Sequence, residues 1–336
     1  VETLTTGIYR AWQNMGDLVA AAQLAAVLLL AVMLLVWMER HSRHRARYAS
    51  TRARGERMRH DLTARNAWVR TLVCALPFLF GFVLPALLLL RLLTRDWSTQ
   101  SIASVLSWTG HSLQVGGLAA VIVVSLSLLL NARARLSRER WALRLERMLS
   151  FGYAVPGAVL AIGVLLPLAW LDNQIIEASK RLFSFNPGLL LTGSVLALVY
   201  ASSIRFYGVA ASSISAAYSR LPLSLDDSAR VLGVSGWAAF AQVHWPALKR
   251  SAVAAMLLVF IDTLKELPAT LTLRPFNFDT LATQTYNLVK DERLGEAAFP
   301  SLLIVLASLP AVALLARLDR RHSHRNRSRP PIPEKS

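Results

Sequence analysis

Residues 113–130 read LQVGGLAAVIVVSLSLLL, an uninterrupted run without one charged side chain. As a helix, a run of this length rises about 27 Å, which is close to the thickness of the hydrocarbon core of a bilayer. Six further stretches are similarly long and apolar, so the sequence predicts an all-α, polytopic membrane protein with about seven spans. The predicted spans are residues 18–38, 71–93, 113–130, 148–171, 187–209, 252–273 and 297–316.

The composition agrees with a membrane protein. Hydrophobic residues make up 54% of the 336-residue chain and charged residues only 17%, which excludes an ordinary water-soluble enzyme. The single cysteine, Cys74, lies in an apolar run. Because it is the only cysteine, the sequence has neither an intramolecular disulfide framework nor a cysteine-based metal cluster.

The basic residues indicate the orientation of the chain. The formal net charge is +17, and 27 of the 37 Lys and Arg residues lie in residues 39–70, 131–147, 210–250 and 317–336. These segments alternate with the predicted spans, so all four lie on one side of the membrane. The positive-inside rule makes that side cytoplasmic, with the amino end outside and the carboxyl end inside. Membrane topology thus explains the charge without nucleic acid, although an Arg-rich loop that binds nucleic acid or anionic lipid is an alternative.

The two ends of the sequence resemble each other. The segment TLTTGIY at residues 3–9 matches TLATQTY at residues 280–286, an offset of 277 residues, and each precedes a polar stretch and an apolar span. Such an offset suits two homologous membrane halves in tandem. We therefore expect the sequence to be part of a longer polypeptide that carries the other half. The predicted division is an outer loop and last span of a preceding half (1–38), an Arg-rich cytoplasmic linker (39–70), a six-span domain (71–318) and a basic cytoplasmic tail (319–336).

The loop at residues 218–246 is the most distinctive connection. Pro222 and Ser224 can open a short helix, and Gly233 can close it in a left-handed conformation. Ser235 can then cap a second helix. The loop is predicted to present a compact, partly apolar surface to the cytoplasm.

The spacing in this loop resembles a known signature. Asp227-Ser228-Ala229, three residues, Gly233, nine residues and Val243-His244-Trp245-Pro246 is similar to the pattern Glu-Ala-Ala, three residues, Gly, nine residues, Ile-any-Leu-Pro of permease subunits of bacterial ATP-binding-cassette (ABC) importers. Asp replaces Glu, Ser replaces the first Ala, Val replaces Ile and Trp replaces Leu. The resemblance implies the transmembrane domain of a type I ABC importer in the bacterial inner membrane. It gives a docking role to Asp227, Ser228, Ala229, Gly233, Val243 and Pro246.

The resemblance also implies the partners. A cytoplasmic ABC ATPase dimer would dock on the loop, and a periplasmic substrate-binding protein would deliver the substrate. The sequence contains no Gly-Lys pair and hence no Walker loop, so ATP and Mg²⁺ would be used by the partner. No catalytic residue, cofactor or metal site is expected in this chain.

A second motif narrows the resemblance. DTLKELPAT at residues 262–270 and LRPFNFDTLAT at residues 273–283 look like the permeases of ferric-iron importers, which also carry two six-span halves on one polypeptide. Importers of thiamine and of aminoethylphosphonate share that plan. Ferric iron is the preferred substrate, and the other two are alternatives.

The same segment places charges inside a predicted span. Asp262, Lys265 and Glu266 would each cost roughly 2.5–3.5 kcal/mol there if left alone. Arg205, in the preceding span, is a possible counter-ion for Glu266. These residues either line the translocation path or form a structural salt bridge near Pro268.

Other function classes use different features of the sequence. An ion-coupled secondary transporter would use the intramembrane charges. A seven-helix receptor fits the span number, but the lysine that a retinal receptor needs is missing from residues 297–316. The outer carboxylates are scattered, and His111 and His244 look isolated, so neither predicts a metal site.

Overall fold

The computed structural model describes residues 3–13, 15–45, 64–95, 101–137 and 139–327, and no strand occurs among them. The predicted all-α class is confirmed. The helices are α1 (Leu4–Gln13), α2 (Leu18–Arg45), α3 (Ala64–Phe78), α4 (Leu84–Arg95), α5 (Ile102–Leu136), α6 (Arg140–Ser150), α7 (Gly157–Phe183), α8 (Val195–Ser219), α9 (Leu223–Val231), α10 (Gly236–Ala239), α11 (Trp245–Leu264), α12 (Pro268–Leu273), α13 (Leu281–Lys290) and α14 (Leu294–Arg327).

Six helical segments in the described part are long and apolar enough to cross a membrane. They account for six of the seven predicted spans, with shifted ends. The crossing segments are Leu18–Glu39, Trp68–Arg95, Ile102–Leu136, Gly157–Phe183, Val195–Ser219 and Leu294–Arg317.

The predicted span 252–273 is wrong as one continuous helix. Helix α11 ends at Leu264, and α12 starts at Pro268 after a short break. Proline is suited to the first turn of a helix because it lacks the N–H that would have no partner there. The predicted span 148–171 is interrupted in the same way: a 3₁₀ turn at Phe151–Ala154 leads to Pro156, which precedes α7.

Two π-helical segments mark prolines inside continuous helices. Leu79–Val83 precedes Pro85, and Phe240–His244 precedes Pro246. Proline cannot donate to the carbonyl four residues earlier and clashes with it. Because that carbonyl lies inside the wider π turn in both cases, the helix continues past each proline.

The core forms where α5, α8 and α11 pack together. Small buried side chains, among them Ala120, Ala210, Ala252 and Ala255, permit close approach of the three backbones. The segment Trp68–Arg95, by contrast, packs along α14, and no residue in its apolar part is buried against the rest of the chain. Its surface is therefore suited to contact lipid or another chain.

The predicted repeat has a structural counterpart. Helices α1 and α13 both have 10 residues and start at positions 277 apart. Each has the same reciprocal cap: the Thr3 N–H donates to Thr6 Oγ1 (2.8 Å) and the Thr280 N–H to Thr283 Oγ1 (2.8 Å). Each is followed by a long apolar helix, α2 or α14. The rings of Tyr9 and Tyr286 meet edge to face, 6.1 Å apart. The assignment of the two copies to separate halves stays a prediction.

The basic segments are only partly described. Helix α2 continues to Arg45 and α14 to Arg327, so both helices extend beyond the predicted spans into the linker and the tail. The rest of the predicted linker up to residue 63, and the tail from residue 328, lie outside the described residues.

Candidate functional site

Helix α9 and the turn after it form the centre of the predicted loop. Gly233 has φ +77°. Its N–H donates to Arg230 O (2.9 Å), and the Val234 N–H donates to Ala229 O (2.9 Å). These two bonds form a Schellman motif, which satisfies the last carbonyls of the helix. The left-handed conformation predicted for Gly233 is confirmed.

The other residues of the signature lie on different faces. Asp227 is 69% exposed and lies 3.5 Å from Arg230, whereas Ala229 is buried. The exposed Ser228 donates its hydroxyl to Ser224 O (2.8 Å). Pro246 is exposed in the first turn of α11, and Val243 is half-buried. The docking roles of these residues stay a prediction.

The cap at Ser235 differs in part from the expectation. Ser235 is the residue before α10, as predicted, but its side chain makes no capping hydrogen bond. Gly236 follows with φ +56°, and the rings of Trp237 and Phe240 stack with centroids 4.7 Å apart.

Large apolar side chains are exposed around the turn. Val231 is 88% exposed and Leu232 is 80% exposed, next to the charged Asp227. Leu223 and Trp237 are exposed as well. An apolar patch of this kind, bordered by charge, is typical of a protein-binding surface.

Behind this surface lies a buried network that the sequence did not predict. Asp226 Oδ2 accepts from Arg135 Nε (2.7 Å), and Asp226 Oδ1 lies 2.8 Å from His244 Nε2. The interpretation of His244 as isolated is therefore wrong. The sequence shows only a second aspartate beside Asp227. No spacing rule links that aspartate to Arg135, 91 positions before it, or to His244, 18 positions after it.

The network favours the ionised form of Asp226. Burial alone would raise the pKa of its carboxyl group, but hydrogen bonds from Arg135 and His244 outweigh burial, so the pKa of Asp226 lies below its usual value. The Arg135 guanidinium also donates to the carbonyls of Tyr218, Leu221 and Pro222, at 2.8, 3.0 and 3.0 Å.

A second site lies where the helices break. The ion pair predicted between Arg205 and Glu266 is present, with 2.9 Å between Arg205 Nε and Glu266 Oε2. Arg205 Nη1 also donates to Val155 O (3.1 Å), just before α7. Glu266 Oε1 accepts from the Ala269 N–H (3.3 Å), in the first turn of α12. One ion pair thus connects the break before α7 with the break before α12.

The remaining predicted charges are paired nearby. Lys265 Nζ lies 2.8 Å from Asp262 Oδ1. A cavity of about 160 Å³ opens beside the breaks, between α1, α7, α12 and α13. Within the described part of the chain, its lining contains no charged side chain. The lining is Thr5, Thr6, Ile8, Tyr9, Trp12, Ala158, Ile162, Leu267, Pro268, Leu271, Thr272 and Tyr286.

The outer carboxylate Asp172 and the ring of His111 both have partners within the protein. No group of three or more His, Cys, Asp or Glu residues suited to a metal lies within the described residues. Asp172 is buried and accepts from the N–H groups of Leu190, Leu191 and Thr192 and from the Thr192 hydroxyl. His111 is also engaged, through Asp279 O (2.9 Å) and a stacked Phe278 ring.

The family described as binding-protein-dependent transport system inner membrane component matches residues 126–327, more than half of the chain. The Fe(3+)-transport system permease protein FbpB 2 of Haemophilus influenzae is 25% identical over 330 residues, which cover 94% of this chain and 60% of the relative. The chain therefore spans about 60% of the length of that curated relative.

Two further proteins are similar to this chain. The 2-aminoethylphosphonate transport system permease protein PhnV of Salmonella paratyphi A is 22% identical over 260 residues, covering 74% of this chain and 93% of that protein. The crystal structure of a bacterial alginate ABC transporter, in complex with its alginate-bound periplasmic protein, contains a similar chain. The TM-score is 0.55 at 14% identity, with 76% of this chain and 94% of that chain covered. This likeness concerns the fold.

Proposed function

This chain belongs to the family of binding-protein-dependent transport system inner membrane components, and from that premise we propose that it is the membrane-spanning permease of an ABC importer that carries ferric iron. It is proposed to act without an ATPase site of its own. A separate cytoplasmic ABC ATPase dimer would use ATP and Mg²⁺, and a periplasmic protein would deliver the substrate.

The observation that carries this proposal is the geometry of the loop. Gly233 makes a tight left-handed turn, and Val231 and Leu232 extend from it into solvent. Exposed apolar side chains are costly in water but favourable in a groove of a partner protein. We propose that this surface, with the exposed Asp227 and Ser228 of the signature, docks on the ATPase, and that the buried Ala229 supports it from behind.

The proposed translocation path runs beside the helix breaks. Interrupted helices inside a membrane are tolerated where they are buried in protein or line a cavity, and such breaks mark substrate sites in transporters. The cavity touches α7 and α12, the two helices that start after the breaks. Arg205, Glu266, Asp262 and Lys265 would form the charged layer behind the cavity wall.

Ferric iron is the substrate with the broadest support. The Haemophilus iron permease aligns with 94% of this chain, whereas the aminoethylphosphonate permease aligns with 74%. Aminoethylphosphonate is therefore the second candidate. The other permease half is proposed to lie on the same polypeptide. The location is the bacterial inner membrane, with the amino end of this sequence outside and the carboxyl end in the cytoplasm.

The proposal is tested by uptake of labelled ferric ion into cells that carry the complete gene with its ATPase and binding protein. Native protein is compared with Gly233→Asp, which strains the turn and adds a charge at the docking surface. We expect native cells to take up iron, and the variant to reach the membrane but lose uptake. Uptake of labelled 2-aminoethylphosphonate without iron would transfer the proposal to the second substrate. Native uptake by the variant would contradict the docking assignment.

A further inference from the structure

The buried contacts of Asp226 join the loop to the membrane helices. Asp226 lies on α9, Arg135 in the last turn of α5, and His244 in the π turn that leads into α11. The exposed fractions of the three side chains are 7%, 12% and 1%, in that order. These three residues are called the Asp226 network below.

Arg135 extends the network to α8. Its guanidinium donates to Tyr218 O near the end of α8 and to Leu221 O and Pro222 O in the connection to α9. All three of its nitrogens therefore have partners. A buried guanidinium with this many bonds is costly to displace, because any separation leaves charge and carbonyl groups without partners.

The two sides of α9 are thus different. Its outer side carries the exposed Asp227 and Val231, which are available to a partner protein. Its inner side carries Asp226, which is held at the same time by Arg135 of α5 and by His244 of the π turn before α11. Because the contacts are short and buried, a movement of α9 that preserves them would also move the ends of these helices.

We propose that Arg135, Asp226 and His244 are positioning residues that convert movement of the docked loop into movement of α5, α8 and α11. This inference rests on the proposed function, since it assumes that an ATPase moves the loop. Because its three side chains are buried behind the docking surface, the network would not contact the ATPase itself. Its loss should therefore separate ATP hydrolysis from transport rather than abolish docking.

The test uses the complete importer, with both permease halves, ATPase and binding protein, in proteoliposomes. Asp226→Asn removes the negative charge, and His244→Gln removes the imidazole ring. Each variant keeps a side chain of similar size. We expect both variants to retain the ATPase and to hydrolyse ATP, while the iron transported per ATP hydrolysed falls roughly tenfold, as for loss of an ordinary coupling free energy. Arg135→Gln should lower this ratio in the same way. Its matched control is Arg133→Gln, because Arg133 lies on the same helix, is largely exposed and comes only within 3.9 Å of Glu139.

The ratio of iron transported to ATP hydrolysed distinguishes a positioning role from a purely structural one. A native ratio of iron to ATP in assembled Asp226→Asn and His244→Gln importers would overturn the positioning role and leave the proposed function intact. Failure of both variants to assemble, or an equal fall in hydrolysis and transport, would identify a purely structural network and also overturn the inference. A native complex that neither hydrolyses ATP nor moves labelled ferric ion or 2-aminoethylphosphonate would contradict the proposed function itself.

Discussion

Gly157 and Glu266 approach so closely that a Cβ atom on residue 157 would lie 2.6 Å from Glu266 Oε1. The same atom would lie 2.8 Å from Arg205 Nη1. Both distances are shorter than nonbonded contact allows. The ion pair that connects the two helix breaks therefore occupies the space that a side chain at residue 157 would need.

Gly157→Ala is expected to displace the Arg205–Glu266 pair. The ends of both side chains must move aside, and each buried hydrogen bond that is not re-formed costs about 1–3 kcal/mol. The melting temperature of the purified protein in detergent measures this loss. Gly163→Ala is the control, since Gly163 lies on the same helix and a Cβ there meets nothing within 4 Å. Equal melting temperatures for the two variants would show that the breaks do not depend on this contact.

Gly233→Ala is expected to weaken the turn after α9. The residue has φ +77°, and a left-handed conformation costs an alanine roughly 1–2 kcal/mol. Because no neighbouring atom lies within 4 Å of the added Cβ, the cost is conformational and local. Hydrogen exchange of the Val234 amide, which closes the Schellman motif, should become faster. Gly117→Ala in α5, which also meets nothing within 4 Å, should leave that exchange unchanged.

Glu146→Gln is expected to remove a pH dependence of stability. Glu146 is buried in α6, where burial raises the pKa of its carboxyl group although Asn131 Nδ2 donates to it (2.7 Å). The folded state thus prefers the protonated form. This contribution is fully present below the unfolded pKa and is lost as pH rises through the higher folded value.

Melting temperatures measured from acid to neutral pH test this sign. The native protein should lose stability over that window relative to Glu146→Gln, which stays neutral. The exposed Glu177→Gln should follow the native curve. Parallel curves for native protein and Glu146→Gln would mean that Glu146 is not the group responsible.

Asp172→Asn is expected to destabilise the connection between α7 and α8. The carboxylate accepts four hydrogen bonds there, at 2.7–3.1 Å, and an amide cannot replace both oxygens as acceptors. The loss should be about 3 kcal/mol. Iron uptake per folded molecule should remain native, because both carboxylate oxygens already accept hydrogen bonds from the protein itself. Loss of iron uptake in the fully folded variant would instead indicate that Asp172 binds the substrate. Asp291→Asn, at an exposed position, serves as the control.

The charged residues of the predicted span 252–273 have the kind of partners that an apolar surrounding requires. Their presence in an apolar stretch was sufficient to predict that they need partners, and Arg205 was correctly matched with Glu266. The interruption of both helices beside this pair was not predicted, although Pro156 and Pro268 were visible. Prolines are tolerated inside membrane helices, as Pro85 and Pro310 are here, so a proline alone does not predict a break.

The sequence by itself determined the features that depend on neighbouring residues. Apolar runs determined most of the spans, the spacing after α9 determined the left-handed Gly233, and the repeated Thr-x-x-Thr segments determined two equivalent caps. Only the tertiary structure decided that Asp226, rather than the adjacent Asp227, is buried between Arg135 and His244, and that Gly157 makes room for Glu266. Such contacts join residues from separate helices, and helix packing alone decides which of them meet.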